Sequence, residues 1–155
     1  MTIGFIYILM LIGLFMSLYN LWLIVKAKST ENWDETTGVI LSSKLIGYTF
    51  AGEADSTFKP TIEYAYIING KEYKSRRIYF GSHIMHSYNK RKSGKTVEKY
   101  FKGKEVVVYF NRFNEKQSVL EKGIKYQIVI GFLLGIIFLG IGLAFLHNPN
   151  LVNIS

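Results

Sequence analysis

Every charged residue of this chain lies in its middle. All 19 Lys and Arg and all 11 Asp and Glu fall between Lys26 and Lys125, and the first 25 and last 30 residues carry none. Two uncharged, mostly apolar ends around a charged centre leave few folds open. Residues Ile3 to Val25 read IGFIYILMLIGLFMSLYNLWLIV, with Asn20 as the strongly polar member. At 1.5 Å of rise per residue this run reaches about 34 Å, enough for a hydrocarbon core of about 30 Å. Gln127 to Leu146, QIVIGFLLGIIFLGIGLAFL, has a similar reach. In lipid a lone span must be helical, because only a helix pairs its backbone groups internally. A cleaved leader fits the first run poorly: nothing basic precedes it, and it is long. A buried core helix fits the second poorly, since so small a domain cannot cover an apolar helix on all sides. The expected organisation is a transmembrane helix over residues 3–25, a β domain over residues 30–123 and a second transmembrane helix over residues 127–146.

Lys26 and Lys28 follow the first span, and Lys116, Lys122 and Lys125 precede the second; the outer flanks have no Lys or Arg. Basic flanks favour the cytoplasmic side. The expectation is a multi-pass protein of the inner (plasma) membrane with both termini outside and the central domain cytoplasmic. Tyr19, Trp22 and Tyr126 then fall near the inner interface, where amphipathic rings settle. Small residues recur one turn apart at Gly13 and Ser17 in the first span, and at Gly131, Gly135 and Gly142 in the second. Such stripes let helix backbones approach closely. They suit either packing of the two spans within one chain or a homodimer through Gly131 and Gly135.

The middle segment holds no cysteine, which excludes disulfides, thiolate metal sites and a cysteine nucleophile. Its clearest local signal is TIEYAYII, Asn69-Gly70, KEYKSRRIYF. Asn-Gly between alternating runs predicts a two-residue hairpin, because both turn positions tolerate positive φ. That register sets Tyr66 opposite Tyr73, Tyr64 opposite Ser75, and Glu63 opposite Arg76 as an ion pair. Ile62, Tyr64, Tyr66, Ile68 and Tyr73 share the face assigned to the core. Thr36 to Leu45 reads as a first strand and Ala51 to Ser56 as a loop. Thr96 to Phe101 reads as a short helix. Val106 to Phe110 is apolar on both faces and reads as a central or well-covered strand, Asn111 to Glu115 as a turn, and Ser118 to Glu121 as a last strand. The fold class is membrane α plus soluble β: two transmembrane helices flanking a small antiparallel sandwich- or barrel-like domain with one short helix.

The sequence Trp33 … Thr37-Gly38-Val39-Ile40, Pro60 … Glu63-Tyr64 … Asn69-Gly70-Lys71 … Tyr73, then Val106-Val107-Val108-Tyr109 … Asn111 … Ser118-Val119-Leu120-Glu121 resembles the membrane-anchored bacterial family called domain of unknown function 3592. The likeness runs from Trp33 to Gly123 and extends to the flanking spans. It implies the anchored β layout and supplies no catalytic residue. Arg112 and Glu115 stand where members of that family often carry prolines.

Chemical motifs are few. Ser93-Gly94-Lys95-Thr96 resembles the end of a phosphate-binding loop, but Asn89 occupies the position of the required earlier glycine and no strand leads in, so a basic loop is the plainer reading. His83 and His86 are three apart; zinc needs three or four ligands, and His147 lies across the membrane in this topology. No cofactor is implied and no catalytic pattern emerges. The electrostatic feature is Lys71 to Lys104, with eleven basic residues against two acidic ones. Arg76, Arg77, Lys90, Arg91, Lys92, Lys95, Lys99 and Lys102 are the expected surface for an anionic inner leaflet or a protein partner. Nucleic acid would be drawn to the same charges but is disfavoured beside a bilayer. The expected function is therefore non-enzymatic: a membrane protein whose basic cytoplasmic β domain binds a partner or the inner leaflet, in a regulatory or toxin-immunity role. The alternative is an accessory subunit of a larger membrane transport or secretion complex.

Overall fold

The computed structural model describes residues 3–48, 57–82, 87 and 89–147. The elements are α1 (Ile3–Ser29), a 3-10 turn (Thr30–Asn32), β1 (Asp34–Tyr48), β2 (Thr57–Ile68), β3 (Lys71–Ser75), α2 (Lys90–Lys99), β4 (Glu105–Asn111), β5 (Asn114–Val119) and α3 (Tyr126–His147). The chain divides into two compact units, Met1–Ala27 with Ile124–Ser155, and Lys28–Gly123. The expected loop Ala51–Ser56 and both His83 and His86 lie outside the described residues.

In the first unit α1 and α3 are long and apolar enough to cross a membrane, with mean hydropathies of 2.2 and 2.8. Large side chains such as Phe15, 74% exposed, surround the pair with hydrocarbon rather than with protein. The small residues meet within the chain. A Cβ added to Gly135 would stand 2.8 Å from the Ser17 backbone nitrogen and 2.9 Å from the Gly13 carbonyl oxygen. One added to Gly131 would stand 2.7 Å from Asn20 Oδ1, and one on Gly142 would strike the Met10 side chain. These contacts descend α1 as they ascend α3, so the helices are antiparallel. Of the two packings open to the small-residue stripes, the structure uses the one within the chain. Asn20 keeps its amide occupied inside the pair by donating to the Met16 carbonyl, 2.8 Å away.

The second unit is one five-stranded antiparallel sheet in the order β3-β2-β1-β4-β5. Its hairpin register is the expected one: Tyr66 opposes Tyr73 and Tyr64 opposes Ser75. Arg76 Nη2 sits 3.2 Å from Glu63 Oε2. Asn69 and Gly70 take φ of 51° and 78°, the two positive values of a type I′ turn. β3 and β5, the outer strands, approach each other, which curls the sheet. Ile40, Ile62, Tyr64, Tyr66, Ile68 and Val108 fill the concave face, with Ile78, Tyr100 and Leu120 closing it.

Three expectations change. β1 and β2 are longer than their apolar runs, because each strand's pairing supports the other as far as Tyr48 and Thr57. The strand after Gly70 stops at Ser75 rather than Phe80, and the chain turns in to let the Ile78 carbonyl accept from the amides of Leu120 and Glu121. The turn after β4 is Arg112-Phe113, so the last strand begins at Asn114 and ends at Val119. β4 is interior in the strand order, as its apolar run leads one to expect, with Val107 half exposed on the convex side.

Three substitutions test these features. Gly135→Val should separate α1 from α3 and lower the thermal midpoint of the protein in detergent. Gly140→Val, where a Cβ meets nothing within 4 Å, should leave it unchanged; equal effects would refute the helix contact. Gly70→Val should cost about 1–3 kcal/mol, since a β-branched residue resists positive φ, and chemical denaturation of the Lys28–Gly123 domain reads that loss.

Candidate anionic-surface site on the basic helix

α2 forms where a short basic loop was the plainer reading, and six residues earlier than the expected Thr96 start. Asn89 begins it: its Oδ1 accepts from the Lys92 amide at 3.0 Å, satisfying one of the unpaired N–H groups of the first turn. Ser93 and Tyr100 then face the sheet, seven residues and about two turns apart. Ser93 Oγ donates to the Phe58 carbonyl at 3.3 Å, and Ser43 Oγ donates to the Val97 carbonyl at 3.2 Å. The Tyr100 hydroxyl donates to Glu121 Oε1 at 2.8 Å; burial raises its pKa to about 12. The buried Ser93 of the Ser-Gly-Lys-Thr stretch is thus a packing residue, and the helical backbone there forms no phosphate-cradling loop.

The opposite side of α2 is cationic. Lys90, Arg91, Lys92 and Lys95 are exposed, and no acidic residue stands in the first turn. Asn89, Arg91, Lys92 and Lys95 line an open cleft of about 340 Å³. Lys90 also rests over the Phe58 ring, 5.5 Å from its centroid. Among the described residues, no carboxylate lies in ion-pair reach of Arg91, Lys95 or Lys102. Lys99 differs: its Nζ is 2.6 Å from Glu121 Oε1, and that hydrogen bond raises its pKa. Lys102 sits in the turn after the helix. Arg76 is held by Glu63, and Arg77 lies over the Phe80 ring at 4.8 Å. Of the eight expected cations, three therefore line the cleft directly, Lys90 adjoins it, and the other four stand on other elements or in other contacts.

A second group escaped the sequence reading. Glu115 Oε2 accepts from the Tyr73 hydroxyl, which raises the Tyr73 pKa, and the Glu115 carbonyl accepts from Tyr66 at 2.6 Å. Tyr73, Arg112, Phe113, Glu115 and Lys116 border an open cleft of about 450 Å³. The expected turn at Asn111–Glu115 hid this meeting; only a strand starting at Asn114 carries Glu115 to β3. No group of three or more metal-ligating side chains occurs among the described residues.

No curated protein sequence matches the chain. A family model described as Domain of unknown function (DUF3592) matches residues 36–125. The match starts within β1 and ends beyond β5, so it covers all of the curled sheet except the first two residues of β1, together with the basic helix packed on it. With more than half its length matched, and with the hairpin, valine-rich strand and closing Ser-Val-Leu-Glu in place, this chain belongs to the DUF3592 family.

Proposed function

We propose that this protein is a non-enzymatic, membrane-anchored binding module. Its apolar helices cross the plasma membrane, the sheet domain lies in the cytoplasm with both termini outside, and the basic side of α2 binds an anionic surface. The first such surface is the phospholipid headgroups of the inner leaflet. A regulatory or protective role toward another membrane component, such as toxin immunity, would be exercised through that surface. In the accessory-subunit alternative the helices would be the main interface instead.

The observation that carries the reading is the first turn of α2. Lys90, Arg91 and Lys92 stand at the positive end of the helix dipole with no acidic residue among them. Each cation there works against the helix by about 0.3–1 kcal/mol at low ionic strength. A bound anion reverses the sign, because it meets the dipole and the side-chain charges together. Each well-placed basic residue contributes about 1 kcal/mol at an anionic leaflet. The Lys28–Gly123 domain has its own core, so it can be tested in isolation.

That domain should bind phosphatidylglycerol vesicles and ignore phosphatidylcholine ones. Binding should weaken as salt rises, since exposed charges are screened beyond about 8 Å at physiological ionic strength. Arg91→Glu with Lys95→Glu should weaken it by at least about tenfold without lowering the thermal midpoint. Equal, salt-insensitive binding to both vesicles would end the electrostatic reading, and binding to nucleic acid alone would move the protein to another class.

Topology has its own test. The chain has no native cysteine, so a single Phe113→Cys, at a position 92% exposed, reports its compartment cleanly. It should react with an impermeant thiol reagent only after the cells are opened, whereas cysteines appended at either terminus should react in intact cells. The reverse pattern would overturn the charge-bias argument.

A further inference from the structure

Among the described residues, the long β1–β2 ribbon leaves an edge open. β4 pairs with β1 only from Asp34 to Val39. Beyond that the Ile40 amide donates to the Lys104 carbonyl and the Ile40 carbonyl accepts from Gly103, after which the other chain turns away into α2. Pairing with β2 nevertheless continues to Tyr48. The hydrogen-bonding alternation beyond Ile40 follows from contacts on both sides. Ile40 directs its backbone groups away from β2, and a bulge follows between Ile40 and Ser42. Opposite, the Phe58 amide and carbonyl both bond Ser87, on the side of β2 away from β1. Since residues alternate between the two edges of an antiparallel strand, Gly47, opposite Phe58, also points away from β2, and so do Leu45 and Ser43. Pro60, which has no N–H to give, lies opposite Leu45, as this alternation allows.

The N–H and C=O groups of Ser43, Leu45 and Gly47 have no backbone partner among the described residues. The β3 edge offers a contrast: there the outward residues are Glu72 and Lys74, on a strand of five residues guarded by charge. The β1 edge has one charged side chain, Lys44, beside the exposed apolar Ile46 and Tyr48.

We propose that this edge pairs with the same edge of a second copy of the chain, β1 to β1, antiparallel about a two-fold axis at Leu45. The edge is self-complementary in that register and in few others. Leu45 meets Leu45 of the other copy, Ser43 meets Gly47, and all six outward backbone groups on each copy's edge gain partners. Lys44 falls opposite Ile46, so no like charges face each other. Moving the axis to residue 44 would set Lys44 against Lys44, which is unfavourable in a cross-strand pair. Moving it toward residue 43 would drive the second strand onto Lys104 and Gly103, which already hold Ile40. Confinement of both copies to one bilayer would raise their effective concentration, so a short pairing suffices. This interface is separate from the small-residue stripes, which are occupied within the chain.

The absence of native cysteine makes the test direct. Full-length Leu45→Cys, in membranes under mild oxidation, should form a disulfide dimer, because opposed residues in a hydrogen-bonded antiparallel pair have Cα atoms about 5.5 Å apart, within disulfide range. Lys44→Cys and Ile46→Cys should cross-link when expressed together and poorly when each is alone. Phe113→Cys, more exposed but off this edge, sets the collision rate, and Leu45→Cys should exceed it by about tenfold or more. Leu45→Pro removes an N–H that the single chain does not use. In detergent the full-length variant should sediment as a monomer with an unchanged thermal midpoint, where the parent chain is a dimer. Cross-linking of Leu45→Cys no faster than Phe113→Cys, or a parent chain that is monomeric in both detergent and bilayer, overturns the proposal.

Discussion

Two buried tyrosine hydroxyls hold the sheet domain in its shape. Tyr64 and Tyr66 alternate on β2 and point into the concave face, almost wholly buried. Their rings add apolar area, but each carries an oxygen that would cost about 1–3 kcal/mol if left unpaired away from water. The Tyr64 hydroxyl donates to the Arg77 carbonyl at 2.9 Å and shares a hydrogen bond with Ser118 Oγ at 3.0 Å. The Tyr66 hydroxyl reaches the Glu115 carbonyl at 2.6 Å. Both Ser118 and Glu115 belong to β5, three strands away from β2 in the sheet order. Satisfying two phenols thus requires the sheet to curl, and the curl brings Tyr73 on β3 to the Glu115 carboxylate. Burial raises the Tyr64 pKa to about 12, so the hydroxyl stays a donor throughout the physiological range.

The curl also explains where the remaining elements go. A concave face that wide needs a cover, and α2 supplies it by laying Ser93 and Tyr100 against β1 and β2. The basic residues of α2 are then excluded from the core by their own hydration and face outward together. Their concentration in one place follows from amphipathicity: ten residues of helix with one side committed to the sheet leave the rest to solvent. Among the described residues the convex face receives no such cover. Ile67 and Val107 stand exposed there, and among the described residues the β1 edge from Ser43 to Gly47 has no neighbouring strand, because β4 departs at Glu105. In the apolar unit the same logic runs through size rather than polarity. Gly131, Gly135 and Gly142 let α1 approach where any side chain would collide, and Asn20 fits because Gly131 has none.

The local features were legible to the extent that the physics behind them is local. The Asn69-Gly70 turn depends on two backbone conformations, and its register follows from a side-chain period of two; both read directly from the chain. The apolar lengths of α1 and α3 read equally well. The end of β3 at Ser75 and the start of β5 at Asn114 did not. Each is decided by a partner distant in sequence, since the Ile78 carbonyl is taken by Leu120 and Glu121, and Glu115 is taken by Tyr66 and Tyr73. The start of α2 is not legible in the sequence because its cap, Asn89, is a single side chain in a polar stretch, and its helical face is defined only by what Phe58 and Ser43 offer it. Of the eight cations singled out, composition could count them but could not tell Arg91 and Lys95, without a carboxylate nearby among the described residues, from Arg76 and Lys99, each held by a glutamate.

What the sequence determined by itself is the partition: apolar helices at both ends, a charged β segment between them, a type I′ hairpin with one tyrosine-rich face, and an excess of positive charge after that hairpin. These follow from hydropathy, periodicity and φ preference, which are properties of adjacent residues. The tertiary structure alone decided that the small-residue stripes meet each other within one chain, that Glu115 sits beneath two tyrosines, which cations line a common cleft, and that the β1 edge from Ser43 to Gly47 has no backbone partner among the described residues. Each of these depends on which distant groups satisfy a buried hydroxyl, a backbone amide or a vacant Cβ position, and such pairings exist only once the chain has closed on itself.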